Sequence, residues 1–296
     1  MGGLTIHEVG PRDGLQNLRY LPKTEEKITL IDLLIEAGLK SIEIGSFVNP
    51  HWVPNMADSG EVFSVVNTSK PADVQLSVLI PNKRGVDRAK EVGATNFGIF
   101  FSPNDDFNQA NYNSDLDTIL ERYKTALEGI DRSQVRVYIS MAFGGCVEDL
   151  ENAIKAGLDF GDKIVLCDTT GEATPFDVAL ALDYAMDLTE NIALHLHHGK
   201  HLFDNIETAF LHGVREFDAS IGGLGGCPFI PRSGANLATE DLVAWCQDRG
   251  IDCGVDYAAL GPAIEVAYRI KNPHRRAAIG NKLRQIKGRV MGAVRR

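Results

Sequence analysis

The sequence predicts an α/β fold: a closed (β/α)8 TIM barrel with a short helical C-terminal extension. Three observations carry that prediction. Eight short strand-like runs alternate with helical or loop segments, and no shift of composition between them marks a linker. Several runs also end on chemically capable polar side chains, which a closed barrel brings to one mouth. An open doubly wound sheet shows the same alternation but converges only the strand ends near its switch point. A single domain is expected over residues 1–296, with the barrel over about 1–250 and the extension over about 251–296.

Strand one, residues 4–9, alternates as Leu4-Thr-Ile-His-Glu-Val9 and is stopped by Gly10-Pro11, with Arg12-Asp13-Gly14 opening the loop beyond. Thr24 can cap the first helix, whose apolar Ile28, Ile31, Leu34 and Ile35 recur at helical spacing until Gly38 ends it. Strand two, residues 41–47, carries Glu43 and finishes near Ser46. The pattern repeats with strands over 74–80, 96–101, 135–141, 163–167, 192–197 and 216–221. Between them, segments such as 114–130 and 174–191 are long enough to serve as helical crossovers. After strand eight come Gly222-Gly-Leu-Gly-Gly226, Cys227, the run Arg232-Ser-Gly-Ala-Asn236 and a helix over 237–248. These glycines lack the Gly-Lys-Thr or GxGxxG setting of a nucleotide loop and read as a close-approach loop carrying a thiol.

Composition narrows the function classes. Apolar residues at 44% and charged residues at 24% describe an ordinary folded chain and exclude disorder. No apolar run approaches a membrane span, and the first residues lead straight into a strand rather than a signal peptide. Five widely spread cysteines without CxxC spacing fit reduced thiols in the cytoplasm. The net charge of −10 hides an asymmetry: ten Lys and Arg follow Glu265 with no acid among them, so the body before them is strongly acidic. So acidic a body argues against nucleic acid as a partner.

The stretch Ile192-Ala-Leu-His-Leu-His-His198 carries the chemistry. In a strand, residues i and i+2 share a face, so His195 and His197 can grip one metal ion while Leu194 and Leu196 face the other way. Two histidines satisfied in a core would give the same spacing; the company they keep favours the ligand reading. With Asp13 after strand one and an amide oxygen from Asn236, they make a mixed nitrogen and oxygen set. That set suits an octahedral divalent cation such as Mg²⁺ or Mn²⁺ with positions left for substrate, and because histidine ligands favour Mn²⁺, Co²⁺ or Zn²⁺ on affinity the donors alone leave the metal open. Ser46, Asp168, Thr169 and Lys200 also fall at strand ends or just beyond them and are candidate substrate contacts.

The motifs Glu8-Val-Gly-Pro-Arg-Asp-Gly-Leu-Gln-Asn17, Glu43 with Ser46-Phe-Val, Trp52-Val-Pro and Asp168-Thr-Thr-Gly171 are each distinctive. Taken with His195-x-His197, Gly223-Leu-Gly-Gly-Cys-Pro228 and Gly234-Ala-Asn-Leu-Ala-Thr-Glu-Asp-Leu242, they resemble 3-hydroxy-3-methylglutaryl-CoA lyases over nearly the whole chain. Those enzymes are metal-dependent lyases on a TIM barrel with an Arg-Asp motif after strand one. The resemblance implies that Asp13, His195, His197 and Asn236 bind the cation and that Arg12 sits against the thioester carbonyl. It further implies that Gln16 and Glu43 support the site and that Cys227 lies on a loop closing over the substrate.

The chemistry asks for these types. Cleaving a carbon–carbon bond beside a tertiary alcohol requires loss of the hydroxyl proton, which a cation at that oxygen favours. Negative charge then moves to the thioester oxygen, where an always-charged guanidinium can hold it. The carbanion must finally take a proton, from Cys227 or from water at the metal.

The sequence departs from the family pattern at two places. Members continue the His-x-His with Asp-Thr and a later Gly, whereas this chain has His197-His198-Gly199-Lys200-His201. After strand five they carry Cys-Pro-Tyr/Phe-Glu-Gly, where this chain has Gly144-Gly-Cys146-Val-Glu-Asp149. Both changes bear on the substrate more than on the reaction. The expected activity is cleavage of a 3-hydroxy-3-substituted dicarboxylic acyl-CoA to acetyl-CoA and a keto acid. The same parts acting on citramalyl-CoA, or in the condensing direction, are the near alternatives. A non-catalytic acyl-CoA-binding barrel is the alternative of another class, and a homodimer is the assembly the resemblance implies.

Overall fold

The computed structural model describes residues 3–226 and 234–272. In chain order the elements are β1 (Thr5–Glu8), α1 (Thr24–Glu36), β2 (Ser41–Ser46), α2 (Ser59–Ser69), β3 (Gln75–Leu79), α3 (Lys83–Glu91), β4 (Asn96–Phe101), α4 (Asp105–Tyr112) and α5 (Leu116–Ala126). They continue with β5 (Val135–Ile139), α6 (Val147–Leu158), β6 (Lys163–Asp168), α7 (Pro175–Leu188), β7 (Ile192–Leu196), α8 (Leu202–Leu211), β8 (Glu216–Ala219), α9 (Thr239–Asp248) and α10 (Gly261–Lys271). The eight strands pair in parallel in sequence order, and β8 closes on β1 through Thr5 opposite Glu216 and Glu8 opposite Ala219. This is the (β/α)8 barrel expected, with a short 3-10 turn (Ala258–Leu260) and one α-helix, α10, after α9 among the described residues. No helix among them is long and apolar enough to cross a membrane.

Local chemistry explains where the elements differ from expectation. The helix expected over 114–130 is shorter and has a companion before it: Asn113 adopts a left-handed conformation (φ 50°) that ends α4, and the Asp115 side chain accepts from Thr118 N to start α5. Thr24 does not cap α1; its hydroxyl donates to Asp58, while Glu26 accepts from the Lys23 backbone. The helix expected from 237 starts at Thr239, because Leu237 donates to Leu196 O and accepts from Ser220 N, extending the β7 and β8 ends instead.

Strand parity divides the buried residues into two regions. Residues such as Ile6, Ile42, Val78, Ile99, Val137, Leu166, Leu194 and Phe217 join one large apolar cluster between strands and helices. The opposite parity fills the barrel with His7, Glu43, Ser77, Arg136, Tyr138, Asp218 and His195, all buried or nearly so. Among the described residues, Tyr138, Val165, Cys167 and Ala193, with half-buried Phe100, form a small separate apolar group. A TIM-barrel interior is ordinarily packed with branched aliphatics. Here it is mostly polar, and Gly98 makes the room: a Cβ there would stand 2.7 Å from Glu43 Oε1.

Candidate active site

After β1 the chain does not enter an open loop. Residues Gly10–Gly14 form one wide helical turn in which Asp13 N and Gly14 N both reach Val9 O, at 2.7 and 3.3 Å. The turn lifts Arg12 and Asp13 to the carboxyl mouth of the barrel. Glu8 anchors it from outside: one of its oxygens accepts from Gly10 N (2.7 Å) and Ile221 N (3.0 Å), the other from Thr239 Oγ1 (2.5 Å). One fully buried carboxyl thus ties the β1 turn to the segments following β8, and burial pushes its pKa up to about 7.

Within the mouth, Arg12 is paired by Nε to Glu43 and by Nη1 to Asp13 Oδ1 at 2.7 Å. Gln16 Nε2 donates to the same Asp13 oxygen at 2.8 Å, and Asn236 Nδ2 donates to the other at 2.7 Å. Burial would raise the Asp13 pKa, but the guanidinium and nearby His195 outweigh it and hold the carboxylate ionised.

The two imidazoles share this face because β7 places alternate residues together. His195 Nδ1 lies 3.1 Å from Asp218 Oδ2, and His197 Nδ1 lies 2.9 Å from Thr169 O. Asp218 is held ionised despite burial, first by Arg136, and a carbonyl oxygen can only accept. Each Nδ1 therefore carries the proton, which leaves both Nε2 lone pairs for a ligand. Burial and the neighbouring His195 drive the His197 pKa down to about 4, so this ring is neutral at physiological pH. His195 is raised: burial opposes the shift, and the bond to Asp218 overcomes it.

One ligand atom each from Asp13, His195 and His197 lies within 4.8 Å of the others. Asn236 Oδ1 is buried with no hydrogen-bond partner among the described residues, although its amide nitrogen is engaged by Asp13 and by Leu224 O. An orphaned carbonyl oxygen beside two free imidazole nitrogens and a carboxylate fits a hard divalent cation. Asn236 is brought there by a bridge between its backbone and that of His197.

The unusual turn after β7 serves this approach. Added Cβ atoms would stand 1.8 Å from Gly171 O at Gly199 and 1.9 Å from His198 O at Gly234. The His198 backbone is thus flanked by the Gly171 and Gly234 segments and donates to Ala235 O at 2.6 Å. The departure at Gly199 acts through backbone proximity, and His201 turns instead toward Asp204, 3.6 Å away.

The remaining candidates sit differently. Asp168 does not belong to the metal cluster: its carboxylate accepts from Gly171 N (3.0 Å) and Ala173 N (3.4 Å) and shapes its own loop. Thr169 contributes its carbonyl to His197, while its hydroxyl accepts from Met141 N. Ser46 is buried and donates to Leu79 O; Lys200 is exposed at the turn after β7. Cys227 lies outside the described residues. The glycine two places before it, Gly225 (φ 98°), packs so closely over Asp13 and Asn236 that a Cβ would meet Asn236 Nδ2 at 2.6 Å.

Sequence reasoning missed Arg136, Tyr138, Asp218 and the anchoring role of Glu8. A signal existed for the first three. Arg136-x-Tyr138 and Glu216-x-Asp218 show the same period-two polar pairing as His195-x-His197, on strands whose other parity is apolar.

Comparison with known proteins identifies the family and the fold. A family profile described as HMGL-like matches residues 3–266. A hydroxymethylglutaryl-CoA lyase of Bacillus subtilis is 37% identical over 87% of this chain and 89% of its own length. An (R)-citramalyl-CoA lyase of Chloroflexus aurantiacus is 36% identical over 88% of each chain. Among solved structures, an HMG-CoA lyase of Acinetobacter baumannii in complex with coenzyme A and 3-methylmalate superposes with a TM-score of 0.83, at 33% identity over 90% of both chains.

Proposed function

The chain belongs to the HMGL-like family of carbon–carbon lyases, and from that premise we propose that it cleaves a 3-hydroxy-3-substituted dicarboxylic acyl-CoA to acetyl-CoA and a keto acid, using a divalent cation. The substrate is 3-hydroxy-3-methylglutaryl-CoA or a close analogue. The observation that carries this reading is the convergence of Asp13, His195 and His197 beside a paired Arg12.

Asp13, His195, His197 and Asn236 would hold the cation, Mg²⁺ or Mn²⁺. When bound it supplies Lewis-acid polarisation of the substrate's oxygens. Arg12 holds the charge that develops on the thioester oxygen: Glu43 and Asp13 fix its guanidinium, and its Nη2 has no hydrogen bond among the described residues. Gln16 and Glu43 keep Asp13 and Arg12 in register. Cys227 donates its thiol proton to the carbanion carbon as acetyl-CoA forms.

Citramalyl-CoA is a second reading of the substrate, favoured by the similarity to the C. aurantiacus lyase. Dialysis against a chelator, followed by Mg²⁺ or Mn²⁺ and a panel of 3-hydroxyacyl-CoAs, decides between them. Metal-dependent release of acetyl-CoA from one panel member is expected, and adding free coenzyme A tests the condensing direction. Release from none would favour an acyl-CoA-binding barrel without catalysis.

A further inference from the structure

We infer that Arg136 is a positioning residue for the metal site, acting through Asp218 on His195 from beneath the catalytic mouth. The inference rests on the metal-dependent reading above.

The geometry is a chain of charged side chains inside the barrel. Lys163 Nζ on β6 holds one oxygen of Glu216 at 2.7 Å, and Arg136 Nη1 on β5 holds the other. Arg136 Nη2 then crosses to Asp218 Oδ1 at 2.8 Å, and Asp218 Oδ2 reaches His195 Nδ1 at 3.1 Å. Asp218 is wholly buried, and each of its oxygens has one of these partners. Turning its carboxylate would therefore break a charge-assisted bond on one side and release the imidazole on the other.

Arginine suits the position because its two terminal nitrogens engage two different carboxylates at fixed angles, which a single ammonium cannot copy. Lys163 restrains Glu216 from its other oxygen, so the far end of the chain is held as well. The guanidinium also lies 5.7 Å from the centroid of the Tyr138 ring. The consequence at the mouth concerns orientation: the His195 ring plane and the proton on its Nδ1 are fixed by a residue two bonds removed. Groups that orient a metal's ligands commonly change affinity by about 10- to 100-fold when lost.

A role confined to neutralising two buried acids predicts a loss of fold stability and no change at the cation. The two roles separate in the chelator-dialysed protein, titrated with Mn²⁺ by calorimetry alongside thermal melting. Arg136→Met is expected to weaken Mn²⁺ binding by about 10- to 100-fold. Arg136→Lys, which restores a cation without the fork, should lose less. In turnover the deficit should reappear as a higher Mn²⁺ requirement, with KM for the acyl-CoA within about twofold. Mn²⁺ affinity within about twofold of the unaltered chain in both folded variants overturns the inference. Should Arg136→Met fail to fold, Arg136→Lys decides by the same criterion. Failure of the unaltered chain to bind Mn²⁺ would instead sink the metal site itself and the functional reading with it.

Discussion

Neighbouring residues of one strand occupy two different media. On β7, Leu194 and Leu196 enter the apolar shell between strands and helices, while His195 and His197 enter a barrel interior crowded with charge. On β8, Phe217 joins the same shell while Glu216 and Asp218 turn inward to Arg136, Lys163 and His195. The shell is held by burial of apolar area, which is non-directional and tolerant of conservative exchange. The interior is held by paired charges whose desolvation is offset only when every partner is present, so it fixes direction at the expense of tolerance. This barrel therefore separates stability from chemistry by parity along each strand, where the more usual division is by depth from the mouth.

Substitutions on either side of that division test it. The largest effect is expected at Asp13→Ala, which removes a proposed ligand and the partner of Arg12. Turnover should fall by about a thousandfold or more, with loss of Mn²⁺ binding, since Lewis-acid assistance is worth several kcal/mol. Retained Mn²⁺ affinity in this variant would break the assignment of the interior as a metal site.

Cys227→Ala is expected to lower turnover by about a hundredfold or more, the usual range for an essential general acid, while Mn²⁺ affinity stays unchanged. Normal turnover would show that the proton comes from another group. On the shell side, Leu194→Ala should cost about 2–5 kcal/mol of stability. It should leave kcat and Mn²⁺ affinity of the folded fraction within about twofold, as denaturant melts and calorimetry would show. A large loss of metal affinity there would mean that the two parities are coupled after all.

The smallest effect is a pH dependence. Burial, then Arg136, lowers the His7 pKa to about 3, whereas an unfolded histidine titrates near 6.5. The folded state therefore binds fewer protons between those values, so the contribution to stability is complete above pH 6.5 and is lost as pH falls toward 3. Glu8 has the opposite sign: with a folded pKa of about 7 against 4.5, its contribution is present below pH 4.5 and is lost as pH rises through 7. Between pH 4.5 and 6.5 these two contributions oppose one another, so the thermal midpoint of the metal-free protein should fall on acidification only below pH 4.5, and His7→Asn should change the slope by at most about 1.4 kcal/mol per pH unit. An unchanged slope would place His7 outside the charged interior.

Much of the scaffold was legible because strand periodicity and glycine punctuation are local. All eight strands fall within a few residues of where alternation placed them, and His195 with His197 needs no more than the i, i+2 rule to share a face. Helix ends were less legible: α9 starts late because Leu237 pairs with Leu196 and Ser220, partners far away in sequence. Asp168 shows the limit at the site, since nothing in its neighbours announces that its carboxylate turns back on Gly171 and Ala173.

The alternation of eight strands with helices, the parity of the imidazoles and, through the motifs, the family were all readable from the order of residues. How the acids pair inside the barrel came from its closure alone. Closing the ring put Asp13 of the β1 turn beside Asn236, and it put Glu216 and Asp218 of β8 across from Arg136 of β5. A carboxylate's role depends on its partners and its dehydration. Both are set by segments up to 231 positions apart, a separation over which local pattern carries no information.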